Sequence, residues 1–324
     1  MLCFTTGNPK EPEANSTVIT QSLRDLDAAF KNFFAGRAKY PHFKRKHHAQ
    51  SVRYQLDQRH IAKTFDAEAE RLKLPKLGAL KLRWSRPVEG IPKMVTIRRD
   101  SVGRYFVSLA CEVDIQPLPA LGNSIGIDVG VKDVVAASDG FKSGAPKYTR
   151  QYARRLKLAQ RRLSRQKKGS KRYQKQRQRI ARIHARIADS RRDFTHQLST
   201  QLIRENQAIS TQTLNIKGML RNGRLSKSIA DSGLHELHRQ LKYKAQWYGR
   251  DFFEVDQWER TTGVCPDCAT VGPKLKLRVR QWRCECGRVH DRDIASAQII
   301  NLLGTAGSAG MKARGAGYPP KAAA

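Results

Sequence analysis

Four cysteines crowd into one short stretch, as Cys265-x-x-Cys268 and, after fifteen intervening residues, Cys284-x-Cys286. Two thiol pairs on facing turns can close a tetrahedral shell of sulfur around a metal ion, which holds its ligands as thiolates. Gly263, Pro266 and Gly287 supply turns that let backbone N–H groups face sulfur. Four reduced thiols without a metal is the competing reading, but two close pairs at this spacing favour a site. With no ligand position left open, the expected ion is a structural zinc that does no chemistry. Cys3 and Cys111 stand alone. A disulfide framework would spread its cysteines along the chain, so the clustering suits a reducing cytoplasm.

Acids form the second chemical group. Ile125-Gly-Ile-Asp128-Val-Gly130 places an aspartate on an apolar strand, between glycines that allow close backbone approach. His290-Asp-Arg-Asp293 follows directly after the cysteines. Carboxylates at strand ends can hold two divalent ions astride a phosphate, as an RNase H-type nuclease requires. A strand aspartate alone serves structure about as often, so Asp128 gains its weight from Asp293.

Charge names the partner. The 324 residues carry 62 Lys and Arg against 28 Asp and Glu, a net +34. Self-repulsion on that scale destabilises a compact chain unless a polyanion neutralises it, and nucleic acid is the obvious one. From Lys147 to Arg192 nineteen cations face one acid, Asp189. Arg154, Arg155, Lys157, Arg161, Arg162, Arg165, Lys167 and Lys168 are the expected phosphate contacts. No uncharged apolar run approaches the roughly 18 residues of a spanning helix, which excludes a membrane partner of that kind. The start of the chain lacks a basic segment followed by a long apolar one, so secretion is not expected.

These groups need elements to position them. Residues 1–16 are polar and expected to fray; Val18, Leu23, Leu26, Ala29, Phe30 and Phe33 recur at helical spacing through Phe34. Lys39 to His48 is basic and aromatic, including Lys44, Arg45 and Lys46. Short β-type runs between Ser51 and Asp114 predict a small antiparallel barrel or sandwich. A Pro- and Gly-containing linker from Gln116 precedes an α/β region opening at Ser124. Leu156, Ala159 and Leu163, then Tyr173, Ile180, Ile183 and Ile187, predict two helices paired as a basic hairpin. A helix near Thr195–Glu205, a strand at Ile209–Leu214, a helix at Leu234–Tyr248 and a strand at Phe252–Val255 follow. From Gly304 the Ala/Gly/Lys-rich tail is expected to be disordered.

With these motifs in place the chain resembles TnpB, the RNA-guided nuclease family of small insertion sequences, related to type V CRISPR effectors. The matching stretches are Gly126-Ile-Asp-Val-Gly130, Leu214-Asn-Ile-Lys-Gly-Met219, Ser228-Ile-Ala-Asp-Ser-Gly233, Gln240 to Gly249, the cysteines, and His290-Asp-Arg-Asp293. The helix at Leu23–Phe34 and the basic hairpin extend the match to residues 17–303, in the family's order.

The resemblance implies an α+β fold: an RNase H-like (RuvC) domain with an inserted basic hairpin and a zinc ribbon, preceded by a wedge-like β-barrel and a short helical remnant. Its expected boundaries are a helical recognition remnant at 1–50, the barrel at 51–122, and RuvC at 123–260 with the hairpin at 147–193. The ribbon takes 261–288, the end of RuvC 289–303 and the tail 304–324. The resemblance leads to the expectation of a further strand and helical segment before the part matching Thr17, so either a deletion or an incorrectly chosen start codon is expected here.

By the same resemblance Asp128 is the first RuvC acid and Asp293 the third. The second should be a glutamate before the Leu-Asn-x-Lys-Gly-Met motif, where this chain has Gln212, followed by Thr213; Ala295 replaces an asparagine. Glutamine keeps the size but removes a full charge from a shared metal site. Glu205, on the preceding helix, does not substitute, so Mg2+ should bind weakly or not at all. The zinc ligands and basic surface are intact, which argues against simple decay. The implied partners are a guide RNA and a double-stranded DNA target. The expected function is guided DNA binding without cutting, as a transcriptional repressor in a prokaryotic cytoplasm. The alternative is an active RNA-guided endonuclease. A general or ribosome-associated nucleic-acid binder would explain the charge and the cysteines, but not the carboxylate strands.

Overall fold

The computed structural model describes residues 15–43, 50–68, 70–273, 275–276 and 278–308. Lys44, Arg45, Lys46, nearly all of the polar start and the tail beyond 308 lie outside the described residues. The chain divides into two units between Asp114 and Ile115.

In the first unit, helix α1 (Ser16–Phe34) begins where the Asn15 side chain accepts the Thr17 N–H, satisfying one of the free donors of a helix start. Next come β1 (Gln50–Gln55), a short α2 (Ile61–Thr64), β2 (Phe65–Asp66), β3 (Arg71–Leu74), β4 (Gly78–Lys81), β5 (Ile91–Arg99) and β6 (Tyr105–Glu112). They form two antiparallel sheets, β1-β5-β6 and β2-β3-β4, rather than one closed barrel. Tyr54, Leu56 and Val95 of the first sheet region and Leu72 and Leu74 of the second meet in one core, which Val18 of α1 joins. The expected boundary at residue 50 is therefore absent. The other expected boundary moves from 122 to 114, because residues 115–122 bind the second unit: Leu118 N–H donates to the Tyr248 carbonyl, and Arg250 to that of Pro119.

The second unit holds β7 (Ser124–Val129), β8 (Val135–Ala137), α3 (Tyr148–Ser164), α4 (Lys171–Glu205), β9 (Ala208–Gln212), α5 (Ile216–Leu220), α6 (Ser226–Ser232), α7 (Leu234–Tyr248), β10 (Asp251–Val255), β11 (Gln281–Arg283), β12 (Val289–Asp291) and α8 (Arg292–Ser308). The central sheet runs β10-β9-β7-β8; the first three are parallel and β8 is antiparallel. Side chains alternate across a strand. Ile125, Ile127 and Ile209 accordingly enter one core with Leu198, Leu202 and Ile203 of α4 and Leu237 and Leu241 of α7. Gly126 and Ser210 face the other way, onto α8. A Cβ on Gly126 would strike the Ala297 carbonyl, and one on Gly304 the Ser210 side chain. Gly304 thus seats α8 on the sheet, and the helix runs to Ser308 and not to the expected 303.

The hairpin is formed by α3 and α4. Gly169 takes φ +83° in the turn, and the Ser170 side chain caps Tyr173 N–H. Gln176 reaches across to the Ala159 carbonyl at 2.9 Å. The separate helix expected near Thr195 is instead the end of α4, a single helix of 35 residues. No Gly or Pro interrupts it; its front half is basic and its rear half carries most of its buried residues.

Candidate functional site

Strand alternation and parallel register bring the expected acids to one sheet edge. Asp128 lies two residues beyond Gly126 and Gln212 two beyond Ser210, so both share the α8 face. Ile127 pairs with Thr211, which sets Asp128 and Gln212 at the carboxyl ends of neighbouring strands. Asp293 sits in the first turn of α8. Burial, then the charge of Asp293, push the Asp128 carboxyl up to about 7, against Arg292 and hydrogen bonds from Ser296 and the Val129 N–H. The first and third acids are thus neighbours.

Gln212 is turned to other work. Its Nε2 donates to the carbonyls of Glu259 at 2.9 Å, Asp256 at 3.2 Å and Gln257 at 3.5 Å. It pins the turn after β10. A carboxylate only accepts, and could not make these bonds. Asp293 is occupied as well, with Arg280 Nη1 at 3.3 Å from its Oδ2. Asp291 pairs with Lys142 at 2.7 Å. Two divalent cations a few Å apart need carboxylate charge to offset their repulsion. Two aspartates, one held by arginine, and a neutral amide do not fit such a pair. Among the described residues, every group of three or more Cys, His, Asp or Glu able to share an ion includes Cys265.

That cysteine group is well formed. One knuckle closes as Cys265 N–H bonds the Thr270 carbonyl, the other as Cys284 N–H bonds that of Arg288; Ala269 at φ 58° and Gly287 at 86° make the tight turns. Sulfurs of Cys268 and Cys284 lie 3.5 Å apart, and those of Cys265 and Cys286 3.8 Å. A tetrahedron with sulfur about 2.3 Å from its centre has edges of about 3.8 Å. The four cysteines could therefore hold a metal ion. Hydrogen bonds from Thr270 draw Cys268 down to about 6. Despite the Cys286 N–H, burial and the neighbouring thiols push Cys284 up to about 12.

All eight expected phosphate contacts, Arg154, Arg155, Lys157, Arg161, Arg162, Arg165, Lys167 and Lys168, are exposed on the hairpin. Four residues escaped the sequence reading. Ser296 is signalled by its i+3 spacing from Asp293. Arg280 and Lys142 carry no local signal for their long-range pairs. His290, whose Nε2 lies 3.2 Å from Cys265 Sγ, was read only as part of an acid motif.

The IS605 OrfB family model, described as "Probable transposase", matches residues 107–223, and a Cas12f1-like TNB domain matches 235–300. A Streptomyces pristinaespiralis protein named "Putative RNA-guided DNA endonuclease" is 44% identical over 92% of this chain and 73% of its own length. InsQ of Escherichia coli K12, named in the same way, is 32% identical over 91% of this chain and 76% of its own. Among solved structures, Cas12f1 in a complex with sgRNA and target DNA is similar at a TM-score of 0.53 and 14% identity, over 88% of this chain and 71% of that one. That likeness supports the mixed α/β fold.

Proposed function

The chain belongs to the TnpB family, and from that premise we propose that it binds a guide RNA and a matching DNA duplex without cutting the DNA. The observation that carries the second half is Gln212, whose amide donates to three carbonyls of the turn at 256–259. In this reading Asp128, Gln212 and Asp293 are a remnant RuvC site, within an RNase H-like domain that follows a wedge-like β domain. The residue that would complete the charge for two Mg2+ ions has become a backbone clamp. Cys265, Cys268, Cys284 and Cys286 hold a structural zinc that fixes the segment leading to Asp293.

Binding does not depend on the acids. Cations on α3 and the following turn neutralise phosphates of the guide or of the RNA–DNA heteroduplex, while base pairing carries the sequence information. A protein that occupies DNA and leaves it whole blocks transcription, so we assign it as a guided repressor in a prokaryotic cytoplasm. The second reading, an active endonuclease, is favoured by the retained neighbours Asp128 and Asp293.

The test begins with sequencing RNA that co-purifies with the protein. A reporter whose promoter carries the guide-matched sequence should be repressed, and scrambling that sequence should release it. A reporter plasmid lost from the cell instead of silenced would favour the endonuclease.

A further inference from the structure

The turn that Gln212 clamps carries Trp258. Its side chain is 84% exposed, against 49% for Trp247. Among the described residues no ring or cation packs on it. Water is a poor solvent for so large an apolar surface, and a mobile loop would fold the indole down. This turn is held open instead. Besides the three bonds from Gln212, the Trp258 N–H donates to Asp256 Oδ1 at 2.8 Å, and Thr213 N–H ties the end of β9 to the Val255 carbonyl at 2.8 Å.

The position is specific too. β7, β9 and β10 are parallel, and Asp128, Gln212 and the turn at 256–259 all lie at their carboxyl ends. Ligands of open α/β sheets bind outside that edge. Lys217, Arg221 and Arg224 follow β9 directly in sequence, whereas the turn itself carries Asp256 and Glu259. Two acids beside an indole disfavour a phosphate at that point. The one cation next to the turn in sequence, Arg260, is turned onto the Thr262 and Gly272 carbonyls, which leaves the flat face of the ring as the attractive element.

We propose that Trp258 is a stacking platform for an unpaired base of single-stranded DNA or RNA crossing the carboxyl edge of the sheet. This rests on the reading that nucleic acid is drawn over the unit. It adds a base contact that neither the hairpin nor the remnant acids provide. Aromatic stacking is tolerant of base identity, so the platform holds a strand in place without reading its sequence.

The test must separate stacking from the charge attraction of a +34 chain. The full-length protein is titrated, at several salt concentrations, with a labelled oligothymidine and with an abasic strand of equal length and charge. Wild type should prefer the oligothymidine by roughly 5- to 150-fold, the range expected of one stacked base. Trp258→Ala should erase that preference and leave the abasic affinity and the salt slope unchanged. Trp258→Phe should keep most of it, and Trp247→Ala all of it. A preference that survives Trp258→Ala, or that is absent from wild type, overturns the proposal. Because no guide is present, neither result depends on whether guided binding or repression holds.

Discussion

Two clusters of metal-ligand type stand within a few residues of each other, and they have diverged. At the cysteines, four sulfurs converge within 4.8 Å of one another, with edges of 3.5 and 3.8 Å. At the sheet edge, Asp128 and Asp293 remain, but Gln212 holds a backbone turn and Arg280 sits on Asp293. The first keeps the convergence a cation needs. The second commits the Gln212 amide to internal hydrogen bonds and Asp293 to an ion pair, which on the proposed reading stand in place of ionic ligation. On that reading, a fold loses the charge of a reactive centre and keeps its shape because the vacated ligand position finds new partners.

The largest effect should come from breaking the intact cluster. Cys284→Ser should take bound zinc from one per chain to none by elemental analysis, and remove site stability on the order of 10 kcal/mol. Proteolysis should then open residues 261–288 while α7 and the central sheet stay protected. Retained zinc would mean that His290, beside Cys265, can substitute.

The hairpin comes next. Changing Arg154, Arg155, Arg161 and Arg162 together to glutamine should flatten the slope of log K against log salt by about three units, since each phosphate contact contributes roughly 0.7–0.9. An unchanged slope would make the hairpin a solvated face.

Gln212→Glu sharpens the contrast between the clusters. It sets a carboxylate against three carbonyl oxygens and should lower stability by about 2–3 kcal/mol in a thermal melt without divalent ions. Mg2+ should restore little of that loss while Arg280 occupies Asp293. Full restoration would show the remnant still competent for metal.

The smallest effect concerns the scaffold behind the edge. Lys244 is 7% exposed and donates to Ser199 Oγ and Thr200 Oγ1, each at 2.7 Å, and to the His196 carbonyl at 3.1 Å. Burial, then Arg204, lowers its pKa from 10.5 to about 8. Below pH 8 folding must bury the charge. Between 8 and 10.5 the unfolded chain keeps a proton that the folded one has released, so stability rises with pH there, by on the order of 2 kcal/mol. Urea midpoints across that window should show the rise, and Lys244→Met should flatten it.

Legibility in the sequence followed the range of the interactions. Cysteine spacing, the strand around Asp128 and helix α7 are written in adjacent residues and were readable directly. The continuity of α4 was obscured because its composition shifts from basic to apolar where its surroundings change. Gly304 reads as tail until α8 is seen lying on Ser210. The clamp from Gln212 to residues 256–259 and the Arg280–Asp293 pair join segments far apart in sequence, so no local pattern announces them. The sequence marked Gln212 as a missing charge; only the fold gives it a partner.

The measurement that bears most directly on the central claim is cleavage of a guide-matched plasmid by the unmodified protein in Mg2+ and in Mn2+. The RNA-bound protein should retard the matched plasmid and yield neither nicked nor linear DNA, since loss of one of two metal ions removes several kcal/mol of transition-state stabilisation at about 1.4 kcal/mol per tenfold in rate. Guided nicking or linearisation that Asp128→Ala abolishes would contradict the account and establish the endonuclease.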